Sequence, residues 1–256
     1  MNRKHFLKSV LGASAFLGIP FDSYSFSNDS IEELINNTKL NTNGSMFSFS
    51  DKEIKKVRVA IIGVGNRGSV LLQMFKYLVE NNHAEIIAIS DILEKKVNNA
   101  SDKLSEFQYR KADLYYKSNE DWKKICNRDD IDLVLIATPW ELHTSMSVYA
   151  MENGKHVACE VPAAYTLEDC WKLIEVSERT KKHFMMMENC NYNEEELWVL
   201  NMIQEGVFGD ITHTEGAYLH DLRALLLHES YYEDQWRLHE HAERNGNFYT
   251  THGLGP

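Results

Sequence analysis

The chain has 256 residues, 43% of them hydrophobic, and its formal net charge is −11. This length allows one large or two ordinary domains with a substantial core, and the composition excludes a disordered chain. The acidic balance argues against a nucleic-acid or anionic-membrane surface, so we expect small-molecule chemistry and no nucleic-acid partner.

The N-terminus is typical of an export signal. Basic residues Arg3, Lys4 and Lys8 flank or precede a mostly apolar stretch at 10–21, which is too short to span a bilayer. The order R-K-x-F-L-K is similar to a twin-arginine signal whose second arginine is lysine; Sec export, a lipid-free anchor and a cytoplasmic amphipathic extension are the alternatives. We therefore expect a signal at 1–25 and a periplasmic or cell-surface protein without a membrane span.

A polar, Ser- and Asn-rich linker is predicted at 26–54. From residue 55 onward, apolar runs alternate with helical patterns, which predicts an α/β fold with a doubly wound parallel sheet. The predicted strands are 57–64, 85–91, 133–138, 156–161 and 184–188. The predicted helices are 67–80, 93–106, 120–126, 141–152 and 167–181. Ser118 with Asp121, and Thr166 with Asp169, are expected to cap two of these helices.

The first predicted strand runs into Gly63, Gly65 and Gly68, which have G-x-G-x-x-G spacing and precede a helical pattern. Gly63 would allow a tight turn, Gly65 would let the backbone approach a pyrophosphate, and Gly68 would let the helix pack closely on the strand. Asp91 ends the second predicted strand, where this type of fold binds an adenosine ribose, and its carboxylate would repel a 2′-phosphate. We therefore predict a dinucleotide-binding Rossmann domain at 55–190, with NAD rather than NADP as cofactor.

A further helix with a partly apolar face is predicted at 194–205 and a strand at 210–223. We expect these elements to begin a second, α+β domain at 191–256 that is unfinished at its last residue. The four cysteines lack metal-ligand spacing, so buried free thiols are expected at Cys126, Cys159, Cys170 and Cys190. No metal site is predicted, because no H-x-x-x-H pair with a third ligand occurs among His213, His220, His228, His239 and His241.

Motifs follow several of the predicted strands. A-T-P-W-E-L-H occupies 137–143 and E-V-P occupies 160–162. Together with the glycine spacing, they resemble the Gfo/Idh/MocA family of glucose-fructose oxidoreductases and inositol dehydrogenases. In most of that family a lysine stands between the glutamate and the proline, contacts nicotinamide and substrate, and helps the substrate hydroxyl lose its proton. Here that residue is Val161, which argues against a plain sugar dehydrogenase.

Longer motifs occur in the later part of the chain: E-N-C at 188–190, G-A-Y-L-H-D-L-R at 216–223, W-R-L at 236–238 and R-N-G-N-F-Y-T-T-H-G-L-G-P at 244–256. They are similar to one branch of this family, glycoside hydrolase family 109, whose members are NAD-dependent α-N-acetylgalactosaminidases. The chain departs from the branch at Thr250, where a proline is usual. The resemblance implies hydrolysis of terminal N-acetylgalactosamine by oxidation at C3, elimination, water addition and re-reduction on bound NAD. Ordinary glycosidases use two flanking carboxylates, and we find no such pair to nominate.

The resemblance also implies site residues. Besides the three glycines, cofactor contacts would fall on Asn66, Arg67, Asp91, Trp140, Glu141, Leu142, His143, Glu160, Val161 and Asn189. Substrate contacts would fall on Tyr218, Arg237, Tyr249, Thr250, Thr251 and His252. His252 is the expected acid/base group, with Tyr218 as its hydroxyl partner.

Simpler interpretations stay open for several of these residues. Trp140 and Tyr218 would then pack in the core, His143 would lie on a helix surface, and Arg67 and Arg237 would be solvated; Arg67 alternatively contacts the pyrophosphate. Two other functions also stay open: an exported NAD-dependent sugar oxidoreductase, and a non-catalytic sugar- or nucleotide-binding protein. We expect residues 1–256 alone to be a poor enzyme, and the oligomeric state is left open, a homo-oligomer included.

Overall fold

The computed structural model describes Met46, residues 49–244 and residues 249–255. The predicted export signal and most of the predicted linker lie outside the described residues, as do residues 245–248 and 256 of the last motif. Within the described part of the chain, no helix is long and apolar enough to cross a membrane.

A six-stranded, wholly parallel sheet forms the centre of the molecule, in the order β3-β2-β1-β4-β5-β6. Its strands are β1 Val57–Ile62, β2 Ala84–Ser90, β3 Asp113–Tyr115, β4 Leu133–Ile136, β5 His156–Cys159 and β6 Phe184–Met186. The predicted α/β class is therefore confirmed, with each predicted strand ending one or two residues early. Successive strands are added in one direction from β1 to β3 and in the other from β4 to β6, and ligands of such sheets bind beyond the carboxyl ends of the strands at this switch between β1 and β4.

Helices cover both faces of the sheet. They are α1 Asn66–Met74, α2 Lys76–Glu80, α3 Glu94–Ser105, α4 Asp121–Cys126, α5 His143–Glu152 and α6 Leu167–Thr180. The helix predicted at 67–80 is interrupted at Phe75, and a 3₁₀ turn, Trp140–Leu142, precedes α5. The Asp169 N–H donates to Thr166 Oγ1 over 3.1 Å, which confirms that cap.

Alternate residues of each central strand enter separate cores on the two sides of the sheet. Val59 and Ile61 pack with residues of α1 and α3, whereas Ala60 and Ile62 pack with residues of α5 and α6. All four are almost completely buried, and burying each isoleucine stabilises the fold by about 1.5–3 kcal/mol. This two-sided burial explains why the last four residues of β1, 59–62, form an unbroken apolar run.

The last part of the chain departs from the prediction. The expected helix is present as α7 Glu194–Gln204, yet its apolar residues Leu197, Leu200 and Ile203 are exposed. The predicted strand at 210–223 is wrong: residues 210–222 form neither strand nor helix. No described strand lies beside this segment to complete a hydrogen-bonded ladder, which an alternating pattern alone cannot replace. Three helices follow: α8 Arg223–Leu226, α9 Trp236–Arg244 and α10 Thr250–Leu254.

The cysteines are free, as expected, but they are not all buried. Cys126 and Cys159 lie in the core, where burial raises the pKa of both thiols, that of Cys126 to about 12. Cys170 is exposed and Cys190 is only partly covered, so the expectation of burial is wrong for Cys170.

The described end of the predicted linker contacts the Rossmann domain. Phe49 lies 5.3 Å from the ring of His183. The Asp51 carboxylate lies 3.2 Å from Lys182 Nζ and 3.1 Å from His156 Nε2. These contacts fix residues 49–51 near the beginnings of β5 and β6.

Candidate functional site

A cavity of about 1100 Å³ opens at the carboxyl ends of the strands. Its lining includes the glycine turn, Asp91, Glu160, Val161 and Asn189, and the whole 3₁₀ turn with His143. It also includes Tyr218, Arg237, Tyr249 and His252. The structure thus brings the predicted cofactor and substrate residues together, with the exception of Gly68, Thr250 and Thr251, which are not among the lining residues.

The glycine turn between β1 and α1 has the three geometries that the spacing predicts. Gly63 has a φ of +85°, and a Cβ there would lie 2.7 Å from the backbone of Ala137. A Cβ on Gly68 would lie 1.9 Å from the Gly63 carbonyl oxygen, so the helix can pack this closely only without a side chain. A Cβ on Gly65 would meet only Lys96 Nζ, at 3.8 Å, and would fill space inside the cavity. This open cradle at the beginning of α1 fits a pyrophosphate.

Asp91 is fixed at the end of β2 by two backbone donors. Its Oδ2 accepts from the Val64 N–H over 2.9 Å, and its Oδ1 accepts from the Leu93 N–H over 3.0 Å. Each carboxylate oxygen keeps a further lone pair. The Asp91 carboxylate can therefore accept hydrogen bonds from two ribose hydroxyls.

Arg67 and Glu160 form an ion pair across the cavity mouth. Arg67 Nε lies 2.6 Å from Glu160 Oε1, and the glutamate side chain is only 8% exposed. Arg67 is thus not simply a solvated residue, and its contact with a pyrophosphate stays a prediction. The neighbouring Val161 is buried and lines the cavity without any proton-accepting group.

His143 is completely buried beneath the cavity floor. Its Nδ1 lies 2.7 Å from the Pro162 carbonyl oxygen and its Nε2 lies 2.9 Å from that of Thr138. Burial lowers the pKa of His143 despite these two acceptors. The helix-surface interpretation of His143 is therefore wrong, because the ring joins the loops that follow β4 and β5.

Three aromatic rings surround the guanidinium of Arg237 in this cavity. Its guanidinium carbon lies 5.2 Å from the ring centres of Trp140 and Tyr232 and 5.0 Å from that of Tyr249. The guanidinium also donates to the Tyr232 hydroxyl. Trp140 itself is 5% exposed and lines the cavity, so it is buried and at the site at once. Arg237 is held by cation–π contacts rather than solvated.

His252 lies between two tyrosines. Its ring stacks on Tyr249 at 4.9 Å and meets the edge of Tyr218 at 4.8 Å. The Tyr218 hydroxyl hydrogen-bonds His220 Nδ1 over 2.7 Å. Burial raises the pKa of Tyr218, and it raises that of Tyr249 to about 12, so both remain phenols at neutral pH.

A residue that the sequence did not single out, Glu188, holds His252 from behind. His252 Nδ1 hydrogen-bonds Glu188 Oε1, and the glutamate is 2% exposed. The Cys190 N–H donates to the same oxygen over 3.1 Å. The available signal was an acid at the end of a predicted strand, but its partner lies 64 residues further along the chain.

Glu188, Cys190 and His252 also form a group whose potential metal-ligand atoms lie within 4.8 Å of one another. The sequence argument against a metal considered five other histidines and did not consider this group. His252 and Glu188 contact each other directly through a hydrogen bond. The predicted absence of a metal is not tested by this geometry and stays a prediction.

Two segments of the chain match known protein families. Residues 57–188 match the Gfo/Idh/MocA oxidoreductase family with its NAD-binding Rossmann fold, and residues 192–256 match the C-terminal domain of glycosyl hydrolase 109. An alpha-N-acetylgalactosaminidase of Bacteroides fragilis is 48% identical over 203 residues, which is 78% of this chain and 47% of that protein. One of Shewanella oneidensis is 39% identical over all 256 residues, which cover 54% of that protein.

Solved structures agree on the fold. An NAD-binding protein from Listeria innocua superimposes with a TM-score of 0.51 and 30% identity, covering 61% of this chain and 41% of that one. The scyllo-inositol dehydrogenase of Lactobacillus casei, with NAD(H) and scyllo-inositol bound, superimposes with a TM-score of 0.54 and 20% identity, covering 62% of this chain and 44% of that one.

The chain spans about half the length of the curated relatives it matches. The predicted cofactor class is confirmed, because the matched family fold binds NAD, while the roles of single residues stay predictions. The chain belongs to the Gfo/Idh/MocA oxidoreductase family, and its last part is similar to the C-terminal domain of glycosyl hydrolase 109.

Proposed function

We propose that the protein hydrolyses terminal N-acetylgalactosamine from a small-molecule or glycan substrate, by a redox-neutral route that uses NAD. The observation that carries the proposal is the pairing of Val161 with His252 in one cavity. Val161 occupies the position where most of the family has a proton-accepting lysine, and it can accept no proton. The imidazole of His252, which lines the same cavity, can provide acid/base chemistry at neutral pH. The names of the most similar curated relatives support the same substrate.

The cradle at Gly65 and the carboxylate of Asp91 would hold NAD. When bound, NAD would supply a reversible hydride acceptor for C3 of the sugar, and the C3 hydroxyl proton would pass to solvent as the ketone forms and return on re-reduction. A ketone at C3 acidifies the proton on C2, and in this proposal His252 takes that proton. Loss of the C2 proton breaks the bond between C1 and its substituent, which leaves with a proton from solvent. Water then adds at C1 and releases a proton, and His252, after exchanging its proton with solvent, protonates C2.

The other cavity residues bind and orient the sugar. Tyr218 and Tyr249 stay protonated, so they act as hydrogen-bond donors and as walls that fix the His252 ring. The Arg237 guanidinium, which three rings hold in place, offers several N–H donors to sugar oxygens. Among the described lining residues proposed to bind the sugar, Tyr218, Arg237, Tyr249 and His252, none is a carboxylate, so direct displacement by a pair of carboxylates, as in ordinary glycosidases, is not supported.

An exchange experiment tests the proposal. The full-length protein is incubated in heavy water with an aryl N-acetylgalactosaminide of each anomeric form, while aryl release and product mass are followed. We expect deuterium at C2 of the product, because the C2 proton leaves during turnover. His252→Ala should lose about 10² or more in kcat and still bind NAD, whereas His239→Ala, an exposed residue of α9 outside the cavity, should behave as wild type. A product without deuterium, together with aryl release that survives removal of NAD, refutes the proposal.

An NAD-dependent sugar oxidoreductase is the alternative that shares the whole cofactor domain. It would accumulate NADH in proportion to substrate consumed, whereas the redox-neutral route leaves the NADH level constant over many turnovers. Absorbance at the NADH band during the same incubation therefore separates the two functions.

We also propose that the protein is exported. The support is the basic segment containing Arg3, Lys4 and Lys8 with the apolar stretch at 10–21. N-terminal sequencing of the protein from fractionated cells tests this: a shortened N-terminus outside the cytoplasm is expected, and an intact one inside it refutes export.

A further inference from the structure

We propose that Glu188 is a positioning residue for His252: it holds the ring in the tautomer whose Nε2 faces the cavity and stabilises the ring once it carries a second proton. The proposal deepens the proposed function, on which the role of His252 as the base rests. It starts from a juxtaposition that no sequence motif contains, since the end of β6 meets α10 through these two side chains.

The hydrogen bonds fix the tautomer. Glu188 Oε1 accepts from the Cys190 N–H over 3.1 Å, and the same oxygen is the partner of His252 Nδ1. An ionised carboxylate only accepts, so the shared proton belongs to Nδ1. The lone pair of the neutral ring is then on Nε2, which is the nitrogen that a base in this cavity must offer. Stacking on Tyr249, with 8° between the ring planes, and edge contact with Tyr218 oppose a ring flip.

Burial makes the carboxylate effective. The glutamate is 2% exposed, and its second oxygen, Oε2, is buried without a hydrogen-bond partner among the described residues. A carboxylate with so little hydration favours a positive charge on its hydrogen-bonded neighbour. When His252 takes a proton, the neutral ring beside a buried anion becomes a hydrogen-bonded ion pair.

Three groups that face His252 stay neutral near neutral pH, because burial raises the pKa of the Cys190 thiol and of both tyrosine hydroxyls. The Arg237 guanidinium lies beyond Tyr249, 5.0 Å from its ring centre. His220 hydrogen-bonds the Tyr218 hydroxyl and is a second histidine beside this cluster. The test therefore needs a measurement that assigns a titration to His252 itself.

Glu188→Gln is the variant that isolates the charge. The Cys190 N–H still attracts an oxygen, so the glutamine carbonyl should take the place of Oε1 and the Nδ1–H tautomer should persist. Glu178→Gln is the matched control, because Glu178 is also buried but lies on α6 away from the cavity lining. Glu188→Asp keeps the charge on a shorter side chain and should recover part of the loss.

Two measurements on the full-length, NAD-loaded protein test the proposal. In turnover, Glu188→Gln should lower kcat at pH 7 by about 10- to 100-fold with KM and NAD affinity within about twofold, and the acid limb of the kcat/KM profile should move to lower pH. In ¹⁵N spectra of histidine-labelled protein without substrate, neutral His252 should be the Nδ1–H tautomer in wild type, and its titration midpoint should fall in Glu188→Gln but not in Glu178→Gln.

The second measurement needs no turnover, so the two proposals can fail separately. The expected spectra without any glycosidase activity would support the role of Glu188 and overturn the proposed function. Normal activity with an unmoved pH profile and titration would overturn the role of Glu188. Activity that a chelator abolishes and zinc restores would also overturn it, because a cation shared by Glu188, Cys190 and His252 would replace the hydrogen bond.

Discussion

Adding one methyl group to Gly68 should reduce the stability of the fold, whereas adding one to Gly65 should reduce the affinity for NAD. In Gly68→Ala, the new Cβ would lie 1.9 Å from the Gly63 carbonyl oxygen, whereas real Cβ contacts are essentially never under 3.0 Å. Helix α1 must therefore move away from the turn by more than an ångström. Forced overpacking of this kind destabilises a core by about 1–3 kcal/mol, and we expect a value near the upper end because both contacting atoms belong to backbone or Cβ.

Gly65→Ala is the matched comparison. Its Cβ meets only the end of the flexible Lys96 side chain, at 3.8 Å, and its φ of −68° lies outside the left-handed region that favours glycine. Gly65 is the N-cap of α1, and alanine there is a poorer cap by less than about 1 kcal/mol. The methyl group would instead fill the cradle on the cavity side, so NAD affinity should fall by about tenfold or more, which is 1.4 kcal/mol or more.

Urea unfolding followed by circular dichroism gives the two free energies of unfolding, and calorimetric titration with NAD gives the affinities. The expected result is a crossed pattern: Gly68→Ala loses stability, and Gly65→Ala loses cofactor. A Gly68→Ala protein as stable as wild type would refute the packing argument, and a Gly65→Ala protein with wild-type NAD affinity would refute the placement of the pyrophosphate.

Two further predictions concern charge. Asp91→Ala should weaken NAD binding by about tenfold, since hydrogen bonds to a charged acceptor contribute about 1.5–3 kcal/mol, while NADP binding changes less; wild-type protein that binds NADP more tightly than NAD would contradict the argument. Burial lowers the pKa of His143 and of His156 below the ordinary 6.5, so the unfolded chain binds more protons below that pH and the free energy of unfolding should fall between pH 7 and pH 5. Urea midpoints at pH 5, 6 and 7 check this, with a smaller slope expected for His143→Gln, and a flat wild-type profile would exclude it.

The parts of the fold that local sequence encodes could be predicted. The core strands are continuous apolar runs because both faces are covered, and the glycine spacing reports the steric demands of one turn. Strand β3, with only Asp113–Tyr115, was missed because three residues carry no periodicity. The strand predicted at 210–223 was wrong for the complementary reason: its alternation was present, but a pairing partner was not among the described residues.

The candidate site was likewise predictable only in part. Resemblance supplied most lining residues, yet the contacts that decide between interpretations join distant parts of the chain. Arg67 pairs with Glu160, 93 residues away, and Arg237 is enclosed by rings from three different segments. No periodicity or motif gives these distances, because they depend on how the loops after β1, β5 and β6 converge.

The convergence of these loops also bears on how His252, the proposed base, could act from a short helix at the edge of the molecule's described part. The family's usual lysine stands directly after β5 and inherits the rigidity of the sheet, whereas His252 lies on the five-residue α10. Glu188 follows β6 and is buried at the sheet's edge, so its hydrogen bond ties His252 to the sheet. The backbone of Gly216 supports the same helix, since a Cβ there would lie 2.2 Å from the Gly253 carbonyl oxygen. In the proposed function His252 acts on the C2 proton rather than on the hydroxyl proton that the lysine serves, and its position on α10 depends on the hydrogen bond to Glu188 and on a glycine at 216.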